Sequence, residues 1–272
     1  MEDRKGISII MKKHLKIFRC YFKLNLASAL EYRASFYTQA FGMALSNSSF
    51  IFFWWIAFGQ IGGAIAGYTF EDVLFIWAVA SSSFGLSRIL FNNITNLTSM
   101  IVTGELDTVL LQPCNVLVNF ICGRTSLSAF GDLLYGFVVM FIFNINNPVA
   151  WGWFLAGSII GALLFTAITL IAHVLSFYFG EATIIAQMMT ELAISFSVYP
   201  EKIFPIFVRT LMFSIVPIGF AIHIPVRIMD GVSPLLILIS LTCTFVYCTF
   251  AGWFFYRGLK RYESGNIIVT RQ

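Results

Sequence analysis

Hydrophobic positions run along this chain in long blocks broken by short polar segments. The first block extends from Ala34 to Phe58. Others run from Val73 to Phe91, Val116 to Phe143, Trp151 to Phe179, Ile184 to Tyr199 and Pro234 to Tyr256. A helix needs about 20 apolar residues to cross roughly 30 Å of hydrocarbon. The pattern therefore predicts an all-α integral membrane protein of about six transmembrane helices. Pro205 to Pro225 is also apolar, but three prolines and Arg209 interrupt it. Proline removes a helix hydrogen bond, and a full crossing here would place Arg257, Lys260 and Arg261 on the opposite side from the N-terminal cations. The expectation is a re-entrant helical hairpin on the outer face, within residues 200–230, before the last span.

Before the first block the period changes. Ile7, Met11, Leu15, Phe18 and Phe22 recur at spacings of three and four, and Lys12, Lys16, Arg19 and Lys23 follow one position on. This places an apolar and a cationic stripe on one helix, expected to lie among anionic headgroups at the cytoplasmic interface. The predicted organisation is this basic amphipathic helix over 1–33 and one membrane domain over 34–272. No cleavable signal peptide is expected, because the apolar run Ile7 to Met11 is short and cations follow it.

Composition sharpens the class. Of 272 residues, 58% are hydrophobic and 11% charged, with mean hydropathy +0.84, against about 25% charged in soluble domains. Eight of the 17 basic residues precede Ala34 and four follow Tyr256. By the positive-inside rule both termini face the cytoplasm, and a multi-pass protein of the cytoplasmic (inner) membrane is expected. Nothing suggests a nucleic-acid surface. The five cysteines form no C-x-x-C pair, so neither a disulfide framework nor a metal site is expected.

The chemistry that is missing matters as much. The chain has no P-loop, no Gly-Lys pair, no H-E-x-x-H and no G-x-S-x-G, so it is read as non-enzymatic and unable to bind ATP by a P-loop of its own. The sequons at Asn93 and Asn96 fall on the cytoplasmic side and are discounted. Ionisable residues inside the predicted spans are Arg88, Arg124, Asp132, His173 and Glu191. Such groups cost about 2.5–3.5 kcal/mol at mid-membrane and should face the bundle or a hydrated path. Arg88 and Arg124 can snorkel to the inner interface; with Asp132 and His173 they are candidates for polar contacts within the bundle. Gln187, Glu191 and Ser195 make the fifth span unusually polar and are candidates for a transport path. Gly157-x-x-x-Gly161 permits close helix approach, chiefly within the subunit.

The break between the second and third spans, residues 92–115, contains Gly104-Glu105-Leu106-Asp107 and continues through Leu111-Gln112-Pro113. This resembles the G-x-L-D-x-x-L-x-x-P segment of type-2 ABC exporter permeases, in their six-span subgroup of roughly 260 residues. The basic first helix, the Pro200 and Pro205 punctuation and the stretch Ile215 to Pro225 agree in order. The resemblance implies that Gly104, Glu105, Leu106 and Asp107 belong to a cytoplasmic coupling helix that contacts an ABC ATPase. It implies that the helix bearing Lys12, Lys16, Arg19 and Lys23 is an elbow helix meeting the same partner, and that the first, second and fifth spans line the path. It further implies two ATPase copies, a second permease, identical or paralogous, and membrane lipid as partners. ATP and Mg would then act through the ATPase, with no cofactor in this chain. The substrate would be hydrophobic or amphiphilic. The alternative reading is an ATP-independent channel or secondary carrier.

Overall fold

The computed structural model describes residues 16, 18–28, 30, 31, 33–144, 146–229 and 234–263. Lys12, and the apolar positions that precede it in the predicted first helix, lie outside the described residues. Residues 18–28 form helix α1. The order continues α2 (Arg33–Ile61), α3 (Phe70–Phe91), a 3-10 turn (Asn92–Asn96), α4 (Leu97–Thr103), α5 (Leu106–Leu110), α6 (Val116–Ile121), α7 (Ala129–Asn144) and α8 (Pro148–Val174). Then come α9 (Ser176–Phe179), α10 (Thr183–Val198), a 3-10 turn (Glu201–Ile203), α11 (Ile206–Ser214), α12 (Gly219–Met229) and α13 (Pro234–Leu259). Among the described residues there is no strand, only one bridge between Ile65 and Tyr68. The protein is an all-α integral membrane protein.

Helix starts follow local chemistry. Thr69 and Asp72 form a capping box at α3, so the acidic pair Glu71 and Asp72 opens a helix with its dipole satisfied. Asn147 accepts from Ala150 N at 3.0 Å and Pro148 occupies the first turn of α8.

Among the described residues, four segments are long and apolar enough to cross a membrane: Arg33–Ile61, Phe70–Thr103, Pro148–Phe179 and Leu235–Leu259. The other two expected spans are α7 and α10, apolar helices of 16 residues, each about 24 Å long. The third block corrects the sequence expectation of one helix from Val116 to Phe143. It breaks between α6 and α7 at Cys122–Ser128, where one side-chain and one backbone bond hold the chain onto α3: Thr125 Oγ1 donates to Ile89 O at 2.9 Å, and Ser126 N donates to Arg88 O at 3.2 Å.

The proline-rich stretch bends by 110° between Ile206–Ser214 and Gly219–Val226. Its broken backbone is satisfied internally, as non-helical backbone at membrane depth must be. Tyr247 Oη reaches the carbonyls of Ser214 and Ile215, and Ser240 Oγ donates to Phe220 O at 2.8 Å. Pro200 has no N–H for the carbonyl of Phe196 four residues earlier. His223, fully buried on α12, supplies that donor instead, Nε2 to O at 3.0 Å. The carbonyl can only accept, so this contact assigns the Nε2–H tautomer.

Helix α3 is the hub, with fourteen buried residues. Glycines let α7 and α8 come close. A Cβ on Gly85 would lie 2.6 Å from Leu133 N, one on Gly131 would collide with Ala40 O, and one on Gly136 would collide with Ser82 Oγ. Gly157 and Gly161 pack against Val79 and Ser83 of α3 and against Ala221, so the G-x-x-x-G pair serves packing within the chain. A second core gathers Ile94, Leu97, Ile101, Leu106, Val109 and Phe120 against Leu170, Val174, Phe177, Ala251 and Phe255.

Gly85→Ala forces backbone apart along the α3–α7 contact. The expected loss is about 1–3 kcal/mol, seen as a lower unfolding midpoint than in wild type; Gly152→Ala, in open space, is the silent control.

Candidate functional site

The segment from Asn92 to Ile121 folds into three short helices and a 3-10 turn. Its inward face is apolar and fills the second core. Leu106 is fully buried there, so it anchors the segment from beneath and does not reach the surface. Gly104 takes a left-handed conformation, φ 78°, as the C-cap of α4. Space around it is open, and the positive φ is what favours glycine. Glu105 and Thr108 are exposed, Asp107 is half-buried, and Leu111 is 86% exposed. Glu105, Thr108, Leu111 and Gln112 thus form the outward face, an acidic group beside an apolar peg.

Polar contacts fasten this segment on several sides. Thr98 Oγ1, buried, lies 2.9 Å from His173 Nδ1 on α8 and 2.7 Å from Ser176 Oγ on α9. Asn93 Nδ2 donates to Phe120 O at 2.7 Å, and Asn96 Nδ2 donates to Asn93 Oδ1 at 2.9 Å. Asn119 Nδ2 donates to Gln112 Oε1 at 2.7 Å. Tyr256 Oη of α13 donates to Asn115 Oδ1 at 2.9 Å. Beyond α13, the buried Tyr262 hydroxyl lies beside Asp107; burial, and then the Asp107 carboxylate, push the phenol up to about 12.

Helix α1 joins the same assembly. Tyr21 Oη donates to Asn119 Oδ1 at 2.8 Å and Asn25 Nδ2 to Cys122 O at 3.3 Å. Lys16, Arg19 and Lys23 are exposed. Tyr21 and Asn25, one turn apart, fix the helix on α6. Sequence reasoning attended to its apolar and cationic stripes and missed this third pair.

A second polar region lies in the bundle. On α2, Ser35, Gln39, Gly42, Ser46 and Ser49 fall in one line and all are exposed, while Phe41, Leu45, Phe52 and Trp55 form a separate exposed apolar face. The polar line borders the side on which Phe50 meets Tyr199, centroids 5.6 Å apart, just past α10. On α10, Gln187 and Glu191 are exposed on successive turns, and Ser195 is half-buried. Arg88 is half-buried with its guanidinium 5.1 Å over the Phe84 ring. Arg124 is exposed. Asp132 is buried and accepts from Asn47 Nδ2 at 2.8 Å.

The structure therefore separates the sequence candidates into three places: Gly104 to Asp107 with His173 at the 92–121 segment, Gln187 to Ser195 on an open face, and Asp132 inside. Asn47, Thr98 and Leu111 were missed. Asn47 carried a signal, an amide in the middle of an apolar span. Among the described residues, no three His, Cys, Asp or Glu side chains gather in a way that could hold a metal ion.

Residues 45–265 match a family model described as ABC-2 family transporter protein. No curated protein matches the chain.

Leu106→Ala empties the anchor beneath the outward face. The expected cost is about 2–5 kcal/mol, concentrated as faster amide hydrogen exchange over residues 92–121, with α3 and α8 above Ile168 little changed.

Proposed function

The chain belongs to the ABC-2 family of transporter proteins, and on that premise we propose that it is the permease subunit of an ATP-driven exporter that takes its energy from a separate ATPase. Membership makes it a multi-pass membrane component of a transporter, not itself a catalyst. The reading beyond that rests chiefly on one observation: a segment with an exposed acidic and apolar face is fixed to the bundle through a buried core and through Thr98, His173 and Ser176. A partner gripping Glu105 and Leu111 moves more than a loop, because the buried contacts carry the displacement into α8. Rigid elements with satisfied interiors transmit displacement rather than absorbing it.

In this reading residues 92–115 are cytoplasmic, both termini are cytoplasmic in the inner membrane, and α1 meets the ATPase beside the segment through Lys16, Arg19 and Lys23. The bend at α11 and α12 is the outer re-entrant hairpin. The polar line of α2 and the Gln187–Glu191 face of α10 turn away from lipid. A charge at mid-membrane costs about 2.5–3.5 kcal/mol, whereas a second permease and a hydrated path between the two relieve that cost. The path carries a hydrophobic or amphiphilic substrate, with two ATPase copies and two permeases, identical or paralogous.

Purification of the tagged chain from its native membrane is expected to recover an ATP-hydrolysing subunit. Leu111→Asp should reduce that recovery about tenfold, as loss of an apolar interface anchor does, with the permease yield unchanged. Undiminished recovery removes this face from the contact. Glu191→Gln should lower substrate-stimulated ATP hydrolysis while leaving recovery of the subunit intact. Transport by vesicles without ATP would instead identify a carrier.

A further inference from the structure

A cavity of about 150 Å³ lies inside the bundle among α2, α3, α7, α8 and α10. Its polar wall is made by Asn47, Ser81, Asp132 and Ser197. Most hydrogens of these groups are already committed, one N–H of Asn47 excepted. Asn47 Nδ2 donates to Asp132 Oδ1 at 2.8 Å. The Ser81 hydroxyl donates to Ala78 O at 3.3 Å, and the Ser197 hydroxyl to Ala193 O at 2.6 Å. Trp77 Nε1 is occluded within the wall. Within a mostly apolar lining, the polar groups left to a guest are one Asn47 N–H and, chiefly, acceptors: the second Asp132 oxygen, the Asn47 amide oxygen and two hydroxyl lone-pair sets.

The rest of the lining is aromatic and aliphatic, including Trp77, Phe84 and Phe165. Asp132 makes its one hydrogen bond with Asn47, and among the described residues it has no cationic partner. Arg88 lies over Phe84 and does not line the cavity. A carboxylate left with one neutral partner at membrane depth is costly. A donor-rich cation relieves it, an anion makes it worse, and a neutral apolar guest leaves it unchanged. Aromatic faces favour a cation as well. A cavity of about this volume admits a benzene ring.

We propose that this cavity binds a small organic cation, a primary ammonium carried on an aryl or short alkyl body. The ammonium donates to Asp132 and to the Ser81 and Ser197 oxygens, and the body lies against Trp77, Phe84 and Phe165. The site is built within a single chain and requires neither ATP nor a partner subunit, so it stands or falls independently of the exporter assignment.

Benzylammonium and benzyl alcohol, nearly the same in shape, form the probe pair. The full-length chain in nanodiscs of zwitterionic lipid is titrated calorimetrically, with empty nanodiscs subtracted. Saturable binding of one benzylammonium per chain, at least tenfold tighter than benzyl alcohol, is expected, and Asp132→Asn should abolish that preference. Equal binding of the two probes, absence of saturable binding, or an Asp132→Asn chain that keeps the preference overturns the proposal. Should Asp132→Asn fail to fold, the probe pair on wild type alone decides.

Discussion

Hydrocarbon offers no hydrogen bonds, and most of this architecture is a set of answers to that constraint. Helix α3 shows the dominant answer. It touches its neighbours over nearly its whole circumference, and it can do so because Gly85, Gly136, Gly157 and Gly161 remove side chains where helices meet. Its serines donate back to their own helix or toward neighbouring carbonyls, as Ser83 does to Val79 O. Without a hydrophobic force between helices in lipid, such close approach is what holds a bundle together.

The same constraint explains the irregular parts. Where helices break or end, side chains reach the freed carbonyls: Tyr247 at the α11–α12 bend, His223 at the proline that ends α10, and Thr125, from the α6–α7 break, at Ile89 near the end of α3. These residues are unremarkable in composition, yet each removes a penalty of roughly 1–3 kcal/mol for a buried unsatisfied group. They allow short helices and a 110° bend where a simple bundle would need continuous spans.

Legibility in the sequence followed from the same physics. Block length and hydropathy located α2, α3, α8 and α13 within a few residues, because lipid imposes length directly. The bend at Pro217 was legible because proline cannot continue a helix. The break inside the third block was not. Cys122 to Ser128 is polar by local composition, but a polar stretch at the end of an apolar block is also what an interfacial helix end looks like, and only the contacts with Ile89 and Arg88 distinguish them. In the 92–115 segment the acidic positions were visible. The division between buried Leu106 and exposed Leu111 was not, since two leucines five residues apart carry no sign of which one meets the core. The Asn47–Asp132 contact joins residues 85 apart, and no local pattern pairs them.

Helix α8 connects these regions. Near its C-terminal end His173 meets Thr98 of the 92–121 segment. Along its length it packs on α3, α10, α12 and α13, and its Phe165 lines the cavity that holds Asp132. A displacement imposed on the segment must either break the Thr98–His173–Ser176 contacts or shift α8. Breaking them leaves buried polar groups unsatisfied, whereas shifting α8 moves its glycine face, Gly157 and Gly161, along α3 and Ala221 of α12. The second route conserves the hydrogen bonds, and α10 lies on it: one end follows the Gly180 turn, where φ is 74°, and the other is latched to α12 through His223. The arrangement favours tilting of α10 about its His223-latched end over bending within it, because the latch fixes one terminus and the Gly180 turn leaves the other free to pivot.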